Sequence, residues 1–84
     1  MINKLIEVGN YTKVDLHNLT KEEARAEICY QILMADRVDS IVFIHGYHGG
    51  RVLKDFVRRE FNHERIQKKI FLDASTTAYR LKKV

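Results

Sequence analysis

Ser40-Ile41-Val42-Phe43-Ile44-His45 is the stretch that decides the fold. It is short, nearly continuous in apolar residues and rich in β-branched ones, as expected of a central strand buried on both faces. A glycine-rich loop follows, Gly46-Tyr47-His48-Gly49-Gly50. Val52, Leu53, Phe56, Val57 and Phe61 then mark an amphipathic helix, with Lys54, Arg58 and Arg59 on its polar side. On the N-terminal side, Tyr11 to His17 alternates with period two, so Val14 and Leu16 face one way and Asp15 and His17 the other. Between the two strands lies a helix. Thr20-Lys21-Glu22-Glu23 matches a capping box, and Leu19 can pack on Ala24 as a hydrophobic staple. Ala24, Ile28, Ile32 and Ala35 recur every three or four residues, with Cys29 and Leu33 beside them, and Asp36 to Asp39 forms a polar loop.

Residues 3–8 read as a short extra strand within an N-terminal extension over residues 1–11, closed by a turn at Gly9-Asn10. Gln67 to Leu72 and Thr76 to Leu81 read as two final strands joined by a turn around Asp73-Ala74-Ser75. The main order is β-α-β-α-β-β, an α/β fold with a mixed sheet of about four strands and two helices. A strand–helix–strand unit implies parallel strands and a right-handed crossover. The histidine-bearing motifs then share the carboxyl ends of the strands, where α/β sheets place their ligands.

The 84 residues make one domain over 1–84, with enough apolar residues for a single core. No apolar run approaches the roughly 20 residues of a membrane-spanning helix, so no membrane partner is expected. Met1 to Glu7 lacks the apolar stretch of a signal peptide, and the lone Cys29 fits a reducing, cytoplasmic compartment. Charge is unevenly spread. Residues 1–45 hold five Lys/Arg against seven Asp/Glu, a balance of −2, whereas residues 46–84 hold ten against four, a balance of +6. The asymmetry is compatible with an anionic partner such as nucleic acid and equally with a solvated basic face.

At the shared edge, Gly46, Gly49 and Gly50 let the backbone approach an anion, and Arg51 stands close by. The spacing matches neither the GxGxxG fingerprint nor a P-loop, and a tight strand-to-helix turn needs the same glycines. His17 and His45 end the two strands and could divide general-base and general-acid roles in phosphodiester cleavage. Asp15 could orient an imidazole or hold a cation. Asp15, His17, His45 and His48 include acceptable metal ligands, but no tight ligand spacing requires a structural metal; a divalent ion such as Mg²⁺ or Mn²⁺ held by Asp15 and a substrate phosphate is the open alternative. Tyr47 could stack on an unpaired base, and Lys54, Arg58, Arg59, Lys68 and Lys69 could contact phosphates. His63 reads as a surface histidine.

Asp15-Leu16-His17 followed by Leu19-Thr20-Lys21-Glu22-Glu23-Ala24, and His45-Gly46 followed by Val52-Leu53, together resemble the Smr (small MutS-related) domain over roughly residues 12–82. The first block is similar to the family's LDxH motif, with Val14 in place of leucine and Asn18 where glycine is usual. The second is similar to its HGxG loop, with His48 in place of the second glycine. The resemblance implies a two-layer α/β sandwich like the C-terminal domain of a bacterial translation initiation factor. It also implies binding and endonucleolytic cleavage of DNA or RNA, with Asp15 and His17 as catalytic pair and His45, Gly46 and the following loop as substrate-contacting or catalytic segment. Two rival readings stand beside it: a non-catalytic RNA- or ribosome-binding adaptor using the basic face, and a protein-interaction domain, monomeric or weakly homodimeric through an exposed sheet face.

Overall fold

The sheet is built around a strand, β2 (Ser40–Ile44), in which four of the five residues are buried. A computed structural model describes residues 4–46 and 51–83 of the chain. In chain order its elements are α1 (Lys4–Val8), β1 (Tyr11–Asp15), α2 (Lys21–Met34), β2, α3 (Val52–Asp55) continued by a π-helical turn over Phe56–Glu60, β3 (Ile66–Asp73) and β4 (Thr76–Leu81). The four strands lie in the order β1-β2-β4-β3. β1 runs parallel to β2, while β4 is antiparallel to both β2 and β3. The α/β class and mixed sheet expected from the sequence are those observed.

Two apolar clusters lie on opposite sheet faces. Val14, Leu16, Ile41, Phe43 and Tyr79 meet Ala24, Ile28 and Ile32 of α2 and Phe56, Val57 and Phe61 beyond α3. This is the main core of a two-layer α/β sandwich. On the other face, Val42, Ile70 and Ala78 pack with Val8 of α1. There, Ser40 Oγ donates to the Val8 carbonyl at 2.7 Å, so α1 covers only one end of the face.

The N-terminal segment is a helix and not the strand its sequence suggests. In a strand Ile6 and Val8 would share one face. Here Ile6 is 75% exposed while Val8 is wholly buried, the opposed placement that a helix gives residues two apart. Gly9, at φ +69°, ends the helix in the left-handed conformation, and a Cβ there would come within 2.4 Å of the Asp39 carboxylate.

α2 begins as its capping box requires. The Glu23 amide donates to Thr20 Oγ1 at 3.1 Å and the Thr20 amide to Glu23 Oε1 at 2.8 Å. The helix after the glycine-rich loop departs from a regular α-helix. Past Asp55 it widens, and the Phe61 amide reaches the Phe56 carbonyl at 2.8 Å, five residues back. Its carbonyls are taken up from the sheet: Tyr79 Oη donates to Val57 at 2.5 Å, and Lys69 Nζ donates to Phe61 and, at 3.4 Å, to Arg58.

An N-cap contributes about 1 kcal/mol, whereas a fully buried isoleucine contributes about 1.5–3 kcal/mol. Packing therefore outweighs capping in α2. Ile28→Ala should lower unfolding stability by about 2–5 kcal/mol and Thr20→Ala by about 1 kcal/mol, read from urea unfolding curves. Equal losses would mean that the cap, and not the core, holds the helix.

Candidate active site

The register of β1 against β2 pairs Asp15 with Ile44, and the Leu16 amide donates to the Ile44 carbonyl at 2.8 Å. Period two then assigns the faces. Leu16 and His45 turn toward the helices and are buried, whereas Asp15 and His17 are exposed and lie on the opposite side. The two strand-end histidines thus stand on opposite faces of the sheet. His17 is level with Gly46, not with His45, and a Cβ on residue 46 would sit only 3.1 Å from His17 Cβ. Gly46 also has φ +76°, so glycine is needed there for both conformation and space.

Asp15 and His17 form a dyad built by local turn geometry. Asp15 Oδ1 accepts the His17 amide at 3.0 Å and His17 Nδ1 at 2.5 Å. Their side chains are 54% and 51% exposed, respectively. The His17 amide, and then its ring, hold the Asp15 carboxyl below its ordinary pKa, so it stays ionised at neutral pH. A carboxylate on Nδ1 fixes the tautomer, and Nε2 of the neutral ring is left as a proton acceptor. Should Nε2 take a proton, Asp15 stabilises the resulting cation.

His45 has a different task. It is 3% exposed and both ring nitrogens are occupied. Nδ1 donates to the Gly46 carbonyl at 2.9 Å, and the Thr77 hydroxyl donates to Nε2 at 2.9 Å. Thr77 Oγ1 in turn accepts Arg58 Nε at 2.7 Å. Burial first, then the nearby charges of Arg58 and Lys54, push the imidazole pKa below its ordinary value and keep it neutral. The Ser75 carbonyl accepts both the His45 and Gly46 amides, at 3.0 and 3.1 Å. This polar chain fixes the corner on which His17 rests.

The predicted phosphate contacts divide. Arg58 spends its guanidinium on Thr77, on the Asp73 carbonyl and on the Thr76 carbonyl at 3.1 Å, and lies over Phe71. Lys69 binds backbone carbonyls, and Lys68 pairs with Glu7 at 2.6 Å. Arg51 and Arg59 are exposed and Lys54 half-buried, and none joins the salt bridges found among the described residues. Tyr47, His48, Gly49 and Gly50 lie outside the described residues. His63 is half-buried and accepts the Arg65 amide at 3.1 Å through Nδ1. Thr77 and Ser75, which hold the corner together, carry no sequence signal beyond that of ordinary strand and turn residues. No group of three or more His, Cys, Asp or Glu among the described residues could hold a metal ion.

A shallow groove of about 210 Å³ lies on the face bearing the dyad, lined by Tyr11, Lys13, Val42, Ile44, Leu72, Asp73 and Thr76. Asp15 pairs with Ile44, which lines the groove, and shares this face of the sheet. Fold and site together define an α/β domain with an exposed Asp–His dyad on a glycine corner. Neither protein-family models, nor curated proteins, nor solved structures give a match to the chain.

Gly46→Ala would place a non-glycine residue in left-handed backbone, costing about 1–2 kcal/mol, and would press on His17. A melting-temperature loss with the His17 ring signals displaced by NMR is the expected outcome. As for pH, His45 is neutral in the fold, so the unfolded chain takes up its proton first. The resulting stability is complete above the ordinary histidine value of 6.5 and is lost as pH falls below it. His45→Gln should flatten the stability curve between about pH 7 and 5, below which other groups dominate. An unchanged slope would mean that His45 titrates alike in both states.

Proposed function

We propose that this chain is a small nucleic-acid-binding domain that cuts phosphodiester bonds in DNA or RNA, with Asp15 and His17 as its proton-transfer pair. The observation that carries the reading is the exposed His17 imidazole, whose Nδ1 is held by Asp15 at 2.5 Å so that Nε2 is left as the proton acceptor. Nε2 takes the proton of the attacking oxygen, from water or a ribose 2′-hydroxyl. That oxygen bonds to phosphorus, the bond to the leaving oxygen breaks, and the leaving oxygen is protonated by solvent or by the imidazolium. Further support comes from the basic second half of the chain and from the likeness of Val14-Asp15-Leu16-His17 to the Smr LDxH motif. Tyr11, 48% exposed, offers a stacking surface at the groove, and exposed Arg51 and Arg59, which join none of the salt bridges among the described residues, are cations open to phosphates.

One observation favours a second reading, a non-catalytic RNA- or ribosome-binding adaptor. The second strand-end imidazole, His45, has both nitrogens engaged and lies on the other face of the sheet, so it is not the general acid partner of His17.

Labelled single- and double-stranded DNA and RNA, incubated with Mg²⁺, with Mn²⁺ and with chelator, decide between them. His17→Ala should cut about 10²- to 10⁴-fold more slowly than wild type while binding as well. Undiminished cleavage by an Asp15→Asn/His17→Ala protein would sink the assignment. Salt-sensitive binding without any wild-type cleavage would establish the adaptor. The chelator lanes show whether a divalent ion takes part.

A further inference from the structure

We propose that Thr77 is a positioning residue for the Asp15–His17 dyad: its hydroxyl sets the tautomer of His45, and that tautomer holds Gly46 against His17. The inference rests on the reading of the dyad as a proton-transfer pair. Thr77 is wholly buried on β4, and its Oγ1 lies 2.7 Å from Arg58 Nε and 2.9 Å from His45 Nε2. A guanidinium only donates, so the hydroxyl accepts from Arg58 and keeps its single proton for the imidazole. His45 Nε2 is then an acceptor, the ring proton sits on Nδ1, and Nδ1–H meets the Gly46 carbonyl at 2.9 Å. In the other tautomer a bare Nδ1 lone pair would face that carbonyl oxygen, and the two would repel.

Gly46 is gripped on both sides. Its amide donates to the Ser75 carbonyl at 3.1 Å, and its carbonyl accepts from the His45 ring. The residue stands at φ +76°, with so little room beside it that a Cβ would lie 3.1 Å from His17 Cβ. Loss of the ring bond frees the Gly46 carbonyl, and a glycine can then turn about both of its backbone torsions. A turn that brings its atoms toward His17 pushes on the imidazole, and the 2.5 Å contact between Nδ1 and Asp15 tolerates little displacement. Thr77 and His45 therefore act on the dyad from the other face of the sheet. The same arrangement gives Arg58 its place, donating to the hydroxyl whose proton sets the ring.

Nitrogen-15 NMR of the histidine rings in the full chain tests it, because ring nitrogens with and without a proton resonate far apart. At neutral pH wild-type His45 should carry its proton on Nδ1. Thr77→Val keeps the shape and removes the hydroxyl, so His45 should lose its single tautomer and the His17 ring signals should shift. In the cleavage assay kcat should fall about 10- to 100-fold at unchanged KM. Thr77→Ser, which keeps the hydroxyl, should restore signals and rate together. Wild-type His45 protonated on Nε2 overturns the proposal, as do unmoved His17 signals in a Thr77→Val protein with a native circular dichroism spectrum. Failure of Thr77→Ser to restore them overturns it too, since the methyl group would then be what matters. If Thr77→Val does not fold, Thr77→Val with Arg58→Met removes the stranded guanidinium as well and is read against the same outcomes. A wild type that cuts nothing defeats the cleavage reading alone, because the ring signals need no substrate and still report whether Thr77 places the dyad.

Discussion

The pairing of Asp15 with Ile44, fixed by the hydrogen bond from the Leu16 amide to the Ile44 carbonyl, is the constraint on which the rest of the site depends. In a strand a slip of one residue exchanges the two faces. With this register Leu16 enters the core, His17 meets solvent beside Gly46, and His45 turns inward to Thr77. With the register moved by one, both histidines would crowd one face and Leu16 would lose its place among Ile28 and Phe43. Burial of Leu16 and Phe43 thus holds the dyad where it is, and the chemistry rests on a hydrophobic choice.

The inward histidine shows how an ionisable group can serve by staying neutral. Arg58 Nε, the Thr77 hydroxyl, the His45 ring and the Gly46 carbonyl form a directional chain in which each donor meets one acceptor. An imidazolium would have to reverse the Thr77 contact, donating to an oxygen that already accepts Arg58, and face the Arg58 charge. The π-helical turn makes the chain possible, because Arg58 lies in that widened turn and reaches across to β4. Local irregularity in the helix and regularity in the polar network are two aspects of one arrangement.

Most of the fold was legible in the sequence because its signals were redundant. α2 announced itself through Thr20 and Glu23 at one end and a three-and-four apolar spacing throughout, and the structure reproduces both. The β1 alternation correctly separated Val14 and Leu16 from Asp15 and His17. The register was not legible, because β2 is apolar on both faces and offers no alternation to align against β1. That is why His45 looked equivalent to His17. The N-terminal segment misled for a related reason: Ile6 and Val8 imitate a strand, and only Val8 meeting Val42 and Ala78 reveals a helix. The π turn and Thr77 had no local signature, since both are set by contacts with distant strands.

β3 is broken by irregular register between Ile66 and Lys68 and again between Phe71 and Asp73. It is also an edge strand, the position from which sheets recruit foreign strands. A ladder interrupted near both ends gives an incoming strand no long run of evenly spaced partners, and Lys68 and Lys69 between the breaks add charge. The sheet therefore stops at four strands. Growth by edge-to-edge stacking, the common route from a small sheet to a fibril, is closed on that side by geometry already present in the native hairpin.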